Sequence, residues 1–216
     1  MKHKFLTILS ATTMIISFAA CGTQNKSNIH DPGTAVTDPA VALQYLKDGN
    51  QRYLDNNGIQ RNTNASDRNV LADGQKPFAV IVTCSDSRVS PEIYFDQKLG
   101  DIFVIRNAGN IADATALGSI EYAVDHLKSP LVVVVGHSSC GAVTAAVQGG
   151  TFPDNLQSIL TTIKVSIGSD TDVDTAIHDN INSVVSKIQN DEVIQDNNAT
   201  VVGAYYDIAT GKITWN

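Results

Sequence analysis

Two uninterrupted apolar runs constrain the fold of this chain more than any other feature. Residues 78–83 read Phe-Ala-Val-Ile-Val-Thr, and residues 131–135 read Leu-Val-Val-Val-Val. Runs that are apolar at every position and rich in β-branched residues are typical of parallel sheets covered by helices on both faces. Each run leads directly into a polar loop, and open parallel sheets bind their ligands beyond the carboxyl ends of the strands. We therefore predict a functional site where these two loops meet.

The remaining apolar patterns extend this prediction to an α/β domain. Three further strands are predicted, at residues 101–106, 201–206 and 213–215. Helices are predicted at residues 115–127, 142–147, 155–167 and 174–188, and an interrupted helix follows Asp38 and breaks near Gly49. This alternation indicates a mainly parallel central sheet flanked by helices, with the last strand forming an antiparallel edge.

The N-terminal 37 residues predict an export signal followed by a linker. Residues 1–20 carry two basic residues near their start, Lys2 and Lys4, and an uncharged apolar segment follows, as in a signal peptide. Two alanines before Cys21 resemble the lipobox of bacterial lipoproteins, in which the cysteine is lipidated; signal cleavage that leaves Cys21 as a thiol is the alternative. Residues 21–37 predict a flexible tether, and residues 38–216 the folded domain. We expect an exported protein held on the cell membrane by its lipid alone, on the extracellular face or in the periplasm.

Composition limits the partners that this protein can have. With 216 residues and 43% hydrophobic content, the chain can bury a substantial core. The formal net charge is -7, and Lys and Arg form no cluster that could bind phosphates. Nucleic acid is therefore excluded as an expected partner.

The two predicted loops contain residues that can bind a metal ion. Cys84 follows the first run, and His137 and Cys140 follow the second. Two thiolates and one imidazole leave one position of a tetrahedral zinc site open, which is typical of catalytic zinc. Asp86 can reach either the metal or Arg88, and its choice decides whether that position is free. The alternative is a disulfide between the two cysteines, which is common in exported proteins.

Both loops match a known family. Cys-Ser-Asp-Ser-Arg at residues 84–88, followed by His-Ser-Ser-Cys-Gly at residues 137–141, resembles the β-class carbonic anhydrases. The resemblance extends from about Ala40 to the C-terminus. Supporting matches are Gly49-Asn50-x-Arg52, Arg106-Asn107-Ala108-Gly109-Asn110, Glu121-Tyr122-Ala123-Val124 and Gly203-Ala204-x-Tyr206-Asp207.

The resemblance implies a role for each residue of the site. Cys84, His137 and Cys140 would be zinc ligands, and Asp86 with Arg88 the catalytic dyad. Arg88 would hold Asp86 off the metal in the active state, whereas Asp86 would occupy the fourth position in a closed state. The implied reaction is the reversible hydration of carbon dioxide to bicarbonate and a proton.

The same resemblance implies a substrate pocket at a subunit boundary. Gln75 would hydrogen-bond bicarbonate, and Phe103, Ala108 and Tyr122 would line the carbon dioxide pocket. Ordinary core packing is an equal alternative for Ala108 and Tyr122. Independently of the resemblance, two thiolates would make water on the zinc less acidic, and the Gly141 amide with the positive end of the helix that starts there would compensate for this. A homodimer or a higher even oligomer is expected.

Two alternative functions remain open at this stage. Some relatives hydrolyse carbonyl sulfide or carbon disulfide with the same ligands, and the sequence does not show the pocket shape that distinguishes them. A non-catalytic module that binds zinc or bicarbonate is the second alternative. Such a module would be expected to have lost Asp86 or Arg88, and both are present.

Overall fold

The computed structural model describes residues 29–59 and 63–216, which form an α/β domain. The predicted signal peptide and Cys21 lie outside the described residues. The helices are α1 (Pro39–Leu54), α2 (Ala65–Val70), α3 (Pro91–Tyr94), α4 (Ala114–Glu121), α5 (Gly141–Gln148), α6 (Asp154–Ile167), α7 (Val173–Gln189) and α8 (Glu192–Asp196). The strands are β1 (Ala79–Cys84), β2 (Ile102–Asn107), β3 (Leu131–His137), β4 (Thr200–Tyr206) and β5 (Ile213–Trp215). None of the helices in these two ranges is both long and apolar enough to cross a membrane.

The described strands form one sheet in the order β2-β1-β3-β4-β5. The first four strands are parallel, and β5 pairs with β4 in the antiparallel direction. This arrangement confirms the predicted fold class. Both β1 and β3 lie in the interior of the sheet, and every residue of each strand is buried.

Helices on both faces of the sheet explain why these two runs are apolar throughout. On one face, Val80 and Val82 pack in a cluster with residues of α4, α5, α6 and α7. On the other face, Ala79 and Ile81 pack in a second cluster with residues of α1 and α3. Alternate residues of a strand point to opposite faces, so each position of β1 meets an apolar layer.

The predicted break near Gly49 is wrong, because α1 runs through this residue. The helix is capped by Asp38, whose carboxylate accepts a hydrogen bond from the Ala40 amide at 2.8 Å. Gly49 faces the carbonyl of Phe95, and a Cβ at this position would lie 1.7 Å from that oxygen. Glycine is therefore required here for close packing of α1 rather than for ending it.

The polar residues after Gly49 tie α1 to the rest of the domain. The side-chain amide of the buried Asn50 donates to the carbonyls of Tyr94 and Gly211, both at 2.9 Å. Arg52 donates to the buried carboxylate of Asp96 at 2.7 Å. The Gly-Asn-x-Arg motif therefore has a structural function in this domain.

The described end of the predicted tether packs on the domain. His30 is 2% exposed, its Nδ1 lies 2.7 Å from Asp101 Oδ1, and its ring packs edge-on against Phe78. The hydroxyl oxygen of Thr34 lies within hydrogen-bonding distance of His30 Nε2, at 3.1 Å. The residues around His30 are thus held to the domain by specific contacts.

The helix predicted at residues 115–127 is present with a change of geometry near its end. Helix α4 continues from Glu121 into a π-helical turn at Tyr122–His126. Turns of this type widen a helix locally and shift the direction of the side chains that follow.

We predict that Gly49→Ala destabilises the domain by about 2 kcal/mol or more, because the added methyl group overlaps the Phe95 carbonyl. The matched control is Gly118→Ala in α4, where a Cβ meets nothing within 4 Å. Alanine in an exposed helix is favoured over glycine, so this variant should gain about 0.5–1 kcal/mol. Urea unfolding of the two variants measures both effects, and equal stabilities would contradict the prediction.

Candidate metal centre

The register of the central strands brings the two predicted loops together. Thr83 pairs with Val135 across β1 and β3, so these parallel strands end side by side. Cys84 is the last residue of β1, and His137 is the last residue of β3. Cys140 follows as the N-cap residue of α5. All three side chains therefore lie at the carboxyl edge of the sheet, as the sequence predicts.

The three side chains form a compact group of potential metal donors. One ligand atom from each of Cys84, His137 and Cys140 lies within 4.8 Å of the other two, and all three residues are buried. His137 Nδ1 lies 2.9 Å from the Ser138 carbonyl oxygen, which requires the proton on Nδ1. The buried Nε2 then presents a lone pair, and it has no hydrogen-bond partner. A buried imidazole nitrogen without a partner beside two sulfurs fits a metal ion with nitrogen and sulfur ligands.

Contact between the two cysteine side chains moves their pKa values in opposite directions. Both described cysteines are free, so the disulfide alternative is not what the structure shows. A hydrogen bond from Cys140 lowers the pKa of Cys84 to about 4, and the Gly109 amide contributes in the same direction. The pKa of Cys140 is raised by its hydrogen bond with Cys84 and by burial. The pair thus holds one thiolate and one thiol, and a divalent metal would displace the remaining proton.

Asp86 is paired with Arg88 and not directed at the metal donors. Arg88 Nε donates to Asp86 Oδ1 at 2.9 Å, and Arg88 Nη2 donates to Asp86 Oδ2 at 2.8 Å. The Arg88 amide adds a third hydrogen bond to Oδ1 at 2.9 Å. These contacts hold the pKa of Asp86 well below its usual range, with the Arg88 side chain as the largest cause. Of the two partners that the sequence left open for Asp86, the structure selects Arg88.

A second arginine holds the backbone of the Cys84–Asp86 loop. Arg106 Nη2 donates to the Asp86 carbonyl at 2.8 Å, and Arg106 Nε donates to the Cys84 carbonyl at 3.3 Å. The amide of Gly109 donates to Cys84 Sγ at 3.4 Å. The sequence indicated Arg106 and Gly109 only as part of a motif, because their partners Cys84 and Asp86 lie 20 or more residues away along the chain.

Of the residues expected to contact substrate, some lie beside the metal donors and others lie away from them. Ala108 immediately precedes Gly109, and Gly141 begins α5 after Cys140, so both lie beside the metal donors. Gln75 is exposed and precedes β1, whose six residues span about 20 Å and separate it from Cys84.

Phe103 and Tyr122, like Gln75, lie away from the metal donors of their own chain. Phe103 pairs with Val80, four residues before the metal-site end of β1. Its ring lies 6.3 Å from that of Tyr122, which is 47% exposed. Within one chain, these two side chains therefore lie on a surface separate from the metal donors.

Comparison with known proteins gives consistent matches. A family model described as carbonic anhydrase matches residues 79–213. Carbonic anhydrase 2 of Mycobacterium tuberculosis is 52% identical over 120 residues, which span 54% of this chain and 58% of that protein. The carbonic anhydrase of Mycolicibacterium smegmatis is 37% identical over 194 residues, which span 82% of this chain and 93% of that protein.

A solved structure shows the same fold. A tetrameric β-carbonic anhydrase from the filamentous ascomycete Sordaria macrospora superimposes with a TM-score of 0.63 and 30% sequence identity. The superposition covers 68% of this chain and 84% of that chain.

Proposed function

The chain belongs to the carbonic anhydrase family, with the fold of its β class, and on this premise we propose that it catalyses the reversible hydration of carbon dioxide to bicarbonate and a proton. The observation that carries the proposal is the buried Cys84, His137 and Cys140 group beside an ion-paired Asp86 and Arg88. This combination supplies both a metal site and a polar group that can orient a nucleophile.

We propose zinc as the cofactor, held by Cys84, His137 and Cys140. Zinc in such a site lowers the pKa of water to about 7 and so provides a nucleophile near neutral pH. The protein residues fit this role, because the His137 Nε2 lone pair is unpartnered and the two sulfurs lie within 4.8 Å of it. Burial of the three donors protects the site from competing ligands.

Asp86 is proposed to accept a hydrogen bond from the attacking water or hydroxide. Its lowered pKa keeps it ionised throughout the neutral range, so it is always an acceptor there. Arg88 uses two nitrogen atoms to fix the direction of the carboxylate and to keep it away from the metal donors. The pH dependence of the reaction near neutrality therefore follows the activated water and not Asp86.

We also propose that a second copy of the chain completes the substrate pocket. Strand β2 is an edge strand, and its apolar residues 102–105 are only partly buried. Proteins normally cover or protect such edges. Gln75, Phe103 and Tyr122 cannot reach the metal donors of their own chain, but a partner across this edge could receive them. The expected assembly is a homodimer or a higher even oligomer.

The proposed location is the cell envelope. Residues 1–20 would be removed as a signal peptide, Cys21 would carry the lipid, and residues 38–216 would form the catalytic domain on the exported side of the membrane. Support comes from the sequence pattern around Cys21. Cys21→Ser should move the protein from the membrane fraction to the soluble fraction, whereas Thr23→Ala should not. An unchanged distribution of the Cys21 variant would contradict lipid anchoring.

Stopped-flow measurement of carbon dioxide hydration, with zinc content determined on the same sample, tests the catalytic proposal. We expect about one zinc per chain. Asp86→Ala and Arg88→Met should each lower kcat/KM by about 10²-fold or more with zinc retained. The first variant loses the acceptor, and the second releases it toward the metal. Arg68→Met, at an exposed position on α2, is the matched control and should keep full activity.

Two outcomes would contradict the catalytic proposal. Zinc without hydration at any pH would favour the carbonyl sulfide or carbon disulfide hydrolase, or the non-catalytic module. Absence of zinc from a folded protein would overturn the metal site itself.

Sedimentation equilibrium tests the proposed assembly. Tyr122→Glu places a charge on the surface assigned to the partner, so this variant should dissociate to monomers and lose activity without unfolding. Val165→Glu, at a position that is 82% exposed on α6, is the control and should leave the assembly intact. A wild-type protein that is monomeric and fully active would overturn the proposed shared pocket.

A further inference from the structure

A tight turn after β2 supplies a hydrogen bond to one of the proposed metal ligands. Residues Ala108–Asn110 form a single turn in which Gly109 has φ +72° and Asn110 has φ +45°. The Gly109 amide donates to Cys84 Sγ at 3.4 Å. Positive φ is uncommon outside glycine, but asparagine tolerates it better than most residues, so Gly109 and Asn110 suit this turn. The direction of the Gly109 amide then also depends on the contacts that the Gly109 carbonyl makes.

Asn180 on α7 makes such a contact. Its side chain is buried, and Nδ2 donates to the Gly109 carbonyl at 2.9 Å. Helix α7 is seated against the sheet next to this residue, because Ile181 packs where Gly136 and Gly203 lack a side chain. Asn180 therefore lies next to a close contact between α7 and the sheet, and this contact places it beside the Gly109 loop.

The surroundings of Asn180 argue that it is not retained for stability alone. Its neighbours on the buried face of α7 are apolar, including Ile177, Ile181 and Val184. Its Oδ1 atom is buried and has no hydrogen-bond partner. A buried amide with one unsatisfied half is costly, and an apolar side chain of similar size would avoid that cost. The donor on Nδ2 is the feature that such a replacement would lose.

We propose that Asn180 is a positioning residue for the metal centre, which acts by holding Gly109 so that its amide stays directed at Cys84 Sγ. A hydrogen bond to a metal thiolate stabilises charge on the sulfur and fixes its orientation. Without Asn180, the Gly109 carbonyl loses its hydrogen bond and the turn is no longer held with its amide directed at the sulfur. This inference rests on the proposed zinc site.

Cobalt substitution tests the proposal with a signal that reports directly on the sulfur. The variants are Asn180→Leu, which removes the polar atoms at similar volume, and Asn180→Ala, which cannot clash. Loss of the hydrogen bond raises the energy of the thiolate electrons, so the thiolate-to-cobalt absorption band should move to longer wavelength in both. Metal affinity should fall roughly 10-fold. Hydrogen exchange of the Gly109 amide should become faster in both.

The matched control is Val184→Ala, one turn further along the same buried face of α7. This truncation also removes packing, but it leaves Asn180 and Gly109 in contact, so the band position and the metal affinity should equal those of the wild-type protein. An equal shift in Val184→Ala would show a general packing effect and overturn the proposal.

The remaining outcomes separate this inference from the proposed function. If the wild-type protein binds cobalt and zinc but the Asn180 variants keep its band, its affinity and its Gly109 exchange rate, the positioning role is wrong and the metal site stands. If the folded wild-type protein binds neither metal, the metal site and this inference fall together.

Discussion

Hydrogen bonding between β1 and β3, in the register that sets Thr83 opposite Val135, determines which side chains can meet in this protein. A shift by one residue would turn Cys84 toward the opposite face, because alternate residues of a strand point to opposite sides of the sheet. The side chains of both strands pack into helical layers on the two faces, so a shift would disrupt packing at every position of the strands. Packing far from the site therefore fixes the separation of its sulfur and nitrogen atoms.

Charge at the site is arranged in two compartments. The buried compartment holds Cys84, His137 and Cys140, where the lowered pKa of Cys84 and an unpartnered imidazole nitrogen fit a cation. The more exposed compartment holds the ion pair of Asp86 and Arg88, in which each charge satisfies the other. Because Arg88 engages both carboxylate oxygens, Asp86 remains beside the metal donors without competing for the metal. This separation suits a reaction that needs both an open metal position and a nearby acceptor.

Glycine and asparagine have structural functions that a local reading of the sequence misjudges. Gly49 looks like a helix break, but it lies inside α1 where the Phe95 carbonyl leaves no space for a Cβ. Asn180 looks like a polar residue on an amphipathic helix, but it is buried and donates to the loop at Gly109. In both cases the partner is distant in sequence, at separations of 46 and 71 residues for Gly49 to Phe95 and Asn180 to Gly109. Periodicity and propensity describe only local preferences, so they carry no signal of these contacts.

The sequence by itself determined the α/β class, the central strands and the candidate metal donors, because continuous apolar runs followed by Cys84 and by His137 with Cys140 specify both burial and chemistry. It could not decide between metal and Arg88 as the partner of Asp86. Tertiary structure decided that question through the geometry of the loop, which aligns Arg88 with both carboxylate oxygens. It also placed Gln75, Phe103 and Tyr122 away from the donors of their own chain, because Gln75 precedes β1, Phe103 lies beside Val80 near the start of that strand, and Tyr122 lies next to Phe103.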